Sequence, residues 1–355
     1  MITTKVAMPS ARRCRHAAAG ACAALAAAAL AAAAPLGAAP AQARAAAPAA
    51  GAARGAATTP QGREWAAFAY YPPKQQLVLF GGRRPGSIFG DTWTRTGSTW
   101  AEAHPATSPS ARTGAAMVYD PASQQLLLFG GGATTGTGFS NETWTWNGTT
   151  WTQLHPSTSP PAREDTDLVY DGATKTVLLF AGWHGSYWDD TWSWNGTTWT
   201  QLSPGTSPSG RDSDALVYDA ATQQVILFGG FRGSGYTPGD TWSWNGTTWT
   251  QLSPATSPGI DVFAWQAAYD AASKQVILFG GDEGGGTFGN STWTWTGTTW
   301  NKLSPAASPA VRAFGTMTYD AADQRVVLFA GSENALKVFP TTISGWNGST
   351  WLSGT

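Results

Sequence analysis

Asp190 to Pro204 reads DTWSWNGTTWTQLSP, and Asp240 to Pro254 repeats it without a change. Each copy places two Trp two residues apart, then Asn-Gly, then a third Trp, the pattern of two short strands joined by a turn that favours positive φ. Upstream of each copy an apolar run closes on a Phe, and the same Phe recurs at 80, 129, 180, 228, 279 and 329, at spacings of 49, 51, 48, 51 and 50. Ten residues before each stands Tyr70, Tyr119, Tyr170, Tyr218, Tyr269 or Tyr319, five of the six followed by Asp. Self-similarity at this period signals a repeat architecture, and six units run from Pro60 onward.

Each unit predicts four strands. In the second these are Ala115 to Tyr119, Gln125 to Phe129, Thr143 to Trp146 and Trp151 to Leu154. Asp120-Pro121-Ala122-Ser123 supplies the first turn, through an Asp side chain able to accept a local backbone hydrogen bond, and Asn147-Gly148 the last. Gly130-Gly131 ends the second strand, and a Pro-rich link, His155 to Pro161, leads onward.

These units resemble kelch repeats: an Arg opening the first strand, an apolar second strand ending in Gly-Gly, an aromatic third strand and a Trp opening the fourth. The resemblance covers residues 60–355 and implies an all-β fold, a six-bladed β-propeller with four antiparallel strands per blade around a channel. It extends to exported bacterial proteins such as those with a galactose-oxidase-like central domain. The chain departs from the pattern at Ala181-Gly182 and Ala330-Gly331 in place of Gly-Gly, Tyr71 in place of the turn Asp, Val262 in place of the Arg, and an irregular third strand near Ile343 to Trp346. The phase leaves no strand over, so blade 6 is expected to close on blade 1 without a shared blade, at the weakest interface of the ring.

Composition agrees with a body of strands and turns. The 355 residues include 42 Gly, 22 Pro and 20 Trp but only 4 Met, and 12% are charged, about half the usual share. Residues 44–355 carry a net charge of −5 and no basic stripe, which excludes nucleic acid as a partner. Cys14 and Cys22 are the only cysteines, so a form without the first 43 residues has neither disulfide nor thiolate metal site. Those 43 residues read as an export signal: Arg12, Arg13 and Arg15, an alanine-rich stretch from Ala17 to Ala34, and Ala41-Gln42-Ala43 as a cleavage site. Residues 44–59 read as an Ala/Gly/Pro-rich disordered spacer. The expected product is secreted or held in the cell envelope, a monomer with no membrane span, and either Sec or twin-arginine export is compatible with the signal.

Trp144 and Trp146, and their counterparts 192/194, 242/244 and 293/295, point to one face of their strand and are expected to fill the gaps between blades. Asn147, Asn195 and Asn245 match glycosylation sequons, but turn chemistry accounts for them. The short turns share one face of the disc, so the other carries the variable loops, where recognition usually sits. There the links bring Arg63, Arg112, Arg163, Arg211 and Arg312 toward the channel mouth, with Glu164, Asp165, Asp167, Asp212, Asp214 and Asp261 as a carboxylate cluster. The loops of blades 3 and 4 add Trp183, Tyr187, Trp188, Phe231 and Tyr236, aromatics outside the repeat phase. The candidate ligand-binding set is Arg163, Asp165, Trp183, Tyr187, Trp188, Arg211, Asp212, Phe231 and Tyr236. Aromatic plates beside acids and Arg suit a glycan or an extracellular protein; capping of the blade core by Trp183 and Trp188 is the other reading of these residues.

Catalytic signals are sparse. Copper-radical oxidases among kelch relatives need a Cys linked to Tyr and His ligands, whereas this chain beyond the signal has only His104, His155 and His184, so that chemistry is rejected. Ser193 to Trp199 lacks the Asp and one spacer of a sialidase turn. The expectation is a non-catalytic binding module without metal or cofactor; the alternative is a carbohydrate-active enzyme, resembling sialic acid mutarotases, that uses Glu164 or Asp165 with an Arg.

Overall fold

The computed structural model describes residues 58–134, 137–233, 239–259, 263–282, 287–333 and 338–354. The export-signal reading and nearly all of the spacer lie outside these residues, as do Tyr236, Asp261 and Val262.

Six four-stranded antiparallel sheets follow one another along the chain, each built from one repeat. In blade 3 the strands are Asp167–Asp171, Thr176–Phe180, Thr191–Trp194 and Trp199–Leu202, hydrogen-bonded in that order. Blade 1 runs from Ala67–Tyr71 to Thr99–Ala103 and blade 6 from Thr316–Asp320 to Trp351–Ser353, so no described blade draws on both ends of the chain. First strands of successive blades flank one another around the channel, blade 1 lying against both blade 2 and blade 6. In blade 2 the first strand is Ala116–Asp120, one residue later than expected, because Asp120 still pairs with Gln125 before its side chain takes the Ala122 N–H at 3.0 Å.

The repeated Trp form the interfaces. Trp146 and Trp151 are buried with ring centroids 5.2 Å apart, among Phe80, Val78 and Tyr71 of blade 1 and Leu126 and Leu128 of their own blade. Trp151 also donates its indole N–H to Thr92 Oγ1 of the preceding blade at 3.0 Å, and Trp199, Trp249, Trp300 and Trp351 do the same to Thr143, Thr191, Thr241 and Thr292. Burial of such a ring together with satisfaction of its one donor locks adjacent blades both apolarly and directionally. Around the disc each inner Tyr approaches the turn Asp of the blade before it. Burial first, then the Asp171 charge, raises the Tyr218 pKa, and Asp219 acts likewise on Tyr269. Where blade 1 has Tyr71 in place of the Asp, Tyr71 meets Tyr119 edge-on at 6.2 Å.

The closing turns keep their expected bounds but not the expected positive φ at both Asn and Gly. Trp146 pairs with Trp151, leaving a four-residue loop in which only Gly148 has positive φ, at 90°. Asn147 stays on the ordinary side because its Oδ1 accepts the N–H groups of Thr149 and Thr150, each at 3.0 Å.

Just before each first strand, Trp65, Gly114, Asp165, Ser213, Ala264 and Phe314 adopt the left-handed conformation, with φ between 50° and 65°. Their backbones bond blade to blade: Trp65 N–H to Phe314 O at 3.1 Å, Gly114 to Trp65 at 3.0 Å, Asp165 to Gly114 at 2.8 Å, Ser213 to Asp165 at 3.3 Å and Ala264 to Ser213 at 3.0 Å. Ala264 O accepts instead from Gln266 Nε2 within its own blade. A side chain on Gly114 would run into Asp165 Oδ1, so this position needs glycine for space as well as for φ.

The ring closes at the blade 6/blade 1 seam with Gly331 N–H to Arg63 O at 2.8 Å and a Phe68–Phe329–Trp100 cluster. Three interactions common elsewhere are altered around this seam. Ile343 stands where other third strands offer the Thr hydroxyl, so the Trp100 bond has no acceptor there; Arg95 replaces the core Trp of blade 1; and Arg312 reaches Glu333 only at 3.9 Å.

Candidate functional site

The arginines do not face the channel mouth, as the sequence led one to expect. Arg163, with no exposed surface, donates from Nη1 and Nη2 to Asp190 at 2.5 and 2.8 Å, to Ala181 O at 3.1 Å and from Nε to Pro161 O at 3.0 Å. Arg211 does the same with Asp240, at 2.7 and 3.1 Å, and Gly229 O at 2.7 Å. Arg63 with Asp91 and Arg112 with Glu142 repeat the clamp. Burial raises the Asp240 carboxyl, but the hydrogen bonds and charge of Arg211 outweigh it and hold the pKa below its ordinary value; Asp91 is held the same way by Arg63. Each carboxylate also accepts the indole N–H of a Trp two residues on, as Asp190 does from Trp192 at 2.7 Å. Arg163 and Arg211 therefore pin the Pro-rich link to the end of the second strand, and their guanidinium groups are already committed.

Trp188 belongs with this clamp. Its N–H bonds Gly182 O and its carbonyl takes the Arg211 N–H, the two contacts that Phe89 makes in blade 1 with Gly82 and Arg112. Its ring lies 4.9 Å from the Arg163 guanidinium carbon, as the Phe89 ring lies 4.0 Å from that of Arg63. Trp188 is thus in repeat phase, a correction to the sequence reading, and its half-buried indole covers a buried cation.

Trp183 and Phe231 also occupy a repeat position, the residue after the Gly pair, bridged in antiparallel fashion to Glu164 and Asp212. What varies is the side chain: Arg83, Gly132, Asp282 and Ser332 hold the same place elsewhere. On the loop face Trp183 meets Phe139 edge-on at 5.3 Å, and His184 meets Phe139 at 4.6 Å. Tyr187 contacts Phe231 at 5.9 Å, Phe231 contacts Phe263 at 5.1 Å, and the series continues through Phe314 to Trp65 at 4.3 Å. Phe139, Trp183, Tyr187 and Phe231 remain half-buried, while Phe263, Phe288 and Phe314 are buried beneath the arc. Phe139, Phe263, Phe288 and Phe314 escaped the sequence reading because they lie in different repeats; an aromatic at the left-handed position, as at Trp65 and Phe314, was the available signal.

Below the arc the channel encloses a cavity of about 200 Å³, lined from the left-handed tier to the third residue beyond it in every blade. Its lining is lopsided. Blades 3 and 4 contribute Asp165, Asp167 and Asp214, whereas blades 1, 2 and 6 contribute mainly Ala66, Ala67, Ala115, Ala116, Met117, Phe314 and Met317. Burial first, then the charges of Asp214 and Asp165, raises the Asp167 pKa well above its ordinary value. Asp214, only 5% exposed, is pushed up to about 7 by burial against the opposing pull of Arg211, with Asp212 and Asp240 adding to the rise. Glu164 and Asp212 are fully buried beside the cluster. Of the predicted acids, then, Asp165, Asp167 and Asp214 line one cavity. Among the described residues no group of His, Cys, Asp and Glu is arranged to hold a metal ion.

The fold defines the chain as a six-bladed β-propeller. The solved structure of YjhT is similar to it, with a TM-score of 0.62 and 13% identity over 84% of this chain and 98% of that one. No protein-family model and no curated protein matches the sequence.

Proposed function

We propose that the propeller is an exported recognition module whose kelch-like blades present a glycan- or protein-binding surface on the loop face, at the arc of Phe139, Trp183, Tyr187 and Phe231. The observation that supports this is the half-burial of four aromatic rings that meet edge-on in two pairs on the loop face, Phe139 with Trp183 and Tyr187 with Phe231. Rings fixed edge-to-face lose little freedom on binding and offer flat apolar plates, the surface that sugar rings and peptide side chains stack on. The clamps beneath keep the loops rigid. A glycan array with residues 44–355 tests the reading: saturable binding that falls about tenfold or more in Trp183→Ala, without loss of melting temperature, supports it, and binding unchanged in that variant rejects it.

A second reading is acid–base chemistry on a sugar in the channel. It draws on Asp214, whose carboxyl, pushed up to about 7, exchanges its proton near neutrality, the condition for general acid or base work, and on Asp167, whose pKa is also raised by burial and by the Asp214 charge. It differs from the sequence expectation in its residues, since the arginines are closed off. Turnover of a panel of reducing sugars, lost in Asp167→Asn, tests it.

A further inference from the structure

The sequence carries both members of the arginine clamp in blades 1 to 4, neither in blade 5, and only the arginine in blade 6. The acid of the clamp stands four residues before the last core residue of the third strand, as Asp190 does before Trp194, and Asp91, Glu142 and Asp240 hold that place in blades 1, 2 and 4. Blade 5 has Ser291 there and Val262 for the Arg, whereas blade 6 keeps Arg312 but has Thr342. Arg312 is buried and turned as Arg163 is: it donates from Nε to Ala310 O at 3.2 Å and from Nη1 to Ala330 O at 3.4 Å, the backbone acceptors that Pro161 and Ala181 supply to Arg163. The outer edge of its guanidinium is thereby aimed at the place where the other clamps hold a carboxylate. Among the described residues no acid is hydrogen-bonded to it. Glu333 Oε1 comes only to 3.9 Å of Nη2, and Thr342 is exposed. Pro340 stands two residues before Thr342, where the rings of Phe89 and Trp188 cover Arg63 and Arg163. The place is open to solvent: the Arg312 side chain keeps 4% exposure where Arg63, Arg163 and Arg211 have none, and the acids of the complete clamps are themselves only half-buried. Burial pulls the Arg312 pKa down against the opposing charge of Glu333. A buried cation is normally answered by a hydrogen-bonded anion, and here that anion is missing from the chain.

We infer that blade 6 carries a binding site for a small carboxylate anion, held by the Arg312 guanidinium in the place that Asp190 fills in blade 3. The ligand class follows from the complete clamps, where Asp91, Asp190 and Asp240 each accept from Nη1 with one oxygen and from Nη2 with the other. The two N–H groups run parallel and match a planar carboxylate oxygen for oxygen, which makes such pairs shorter and stronger than single contacts. Backbone bonds already fix the attitude of Arg312, so little side-chain freedom is lost when the anion arrives. Glu333 competes weakly, because at 3.9 Å it makes no hydrogen bond and it is itself partly exposed.

Nuclear magnetic resonance of the arginine Nε–H groups tests the site, with acetate as the probe and chloride and methanesulfonate as controls at equal ionic strength, and its result does not depend on the aromatic arc. Acetate is expected to move one arginine signal saturably in the millimolar range, while the controls move it little. Thr342→Asp puts a carboxylate of the chain's own into the seat. It should displace the same signal, weaken acetate binding roughly tenfold or more, and raise the melting temperature by about 2 °C, as a completed charge-assisted pair does. Glu333→Gln should leave the melting temperature within about 1 °C and tighten acetate binding about twofold, since it removes a competing charge. An arginine signal that answers to no acetate, or one that methanesulfonate moves equally, overturns the assignment. So does acetate affinity unchanged in Thr342→Asp. A fall of several degrees in the melting temperature of Glu333→Gln, with acetate binding no tighter, also overturns it, because Glu333 is then the true partner of Arg312.

Discussion

Replacing Asp214 by Asn should stabilise the propeller, and should do so only at high pH. In the folded chain this carboxyl titrates at about 7, against an ordinary value of 3.8, because burial outweighs the attraction of Arg211. A carboxyl whose pKa is raised on folding binds its proton more tightly in the native state. Its cost to stability is therefore absent below about pH 4, grows as pH rises, and is complete above pH 7. At about 1.36 kcal/mol per unit, the cost reaches about 4 kcal/mol at pH 8 and stays near 1 kcal/mol at pH 4.5. Asparagine keeps the shape and removes the charge, and relief of Asp167 acts in the same direction. With about 2 °C per kcal/mol for a domain of this size, Asp214→Asn should raise the melting temperature by roughly 5 to 8 °C at pH 8 and by about 2 °C or less at pH 4.5. Differential scanning calorimetry of both proteins across that range is the assay. A gain that is the same at both pH values, or a loss at pH 8, would refute the electrostatic reasoning.

Arg163→Met should destabilise the fold by about 3 to 5 kcal/mol, since it leaves Asp190 buried without its cation, and adding Asp190→Asn should recover part of the loss; chemical denaturation measures both. Ala181, held at φ 66° where most repeats have glycine, is under left-handed strain, so Ala181→Gly should gain about 1 kcal/mol in the same assay, and a loss would show that its methyl group packs favourably. Hydrogen exchange should find blades 1 and 6 opening before blades 3 and 4, because Ile343, Arg95 and Arg312 weaken the contacts near the seam; uniform protection would contradict this.

The blades were legible because each strand, turn and interface Trp recurs in phase, so that one repeat could be checked against five others. The Asn-Gly turn was recognised with its bounds, between Trp146 and Trp151, but positive φ was expected at both Asn147 and Gly148, since the sequence does not show that the Asn147 side chain takes two backbone donors and releases that need at Asn147 itself. The site was read less well. Arg163 and Arg211 occupy the right place in the chain, but their side chains turn to Asp190 and Asp240, partners on the far side of a variable loop that periodicity does not pair with them. Trp188 looked unphased because loops of different length hid its equivalence to Phe89, which only the backbone hydrogen bonds reveal. Asp214 was identified as one acid of several; that it stands buried, with burial outweighing the attraction of Arg211, depends on how the blades meet.

The central claim is that recognition takes place on the loop face around Trp183, and hydrogen–deuterium exchange of residues 44–355, free and bound to the tightest glycan found on the array, tests it most directly. The account predicts that added protection concentrates in residues 137–140, 183–188 and 231–233, with the Asn-Gly turns on the opposite face unchanged. Protection confined to those turns, or a glycan that binds without slowing exchange anywhere on the loop face, would contradict it.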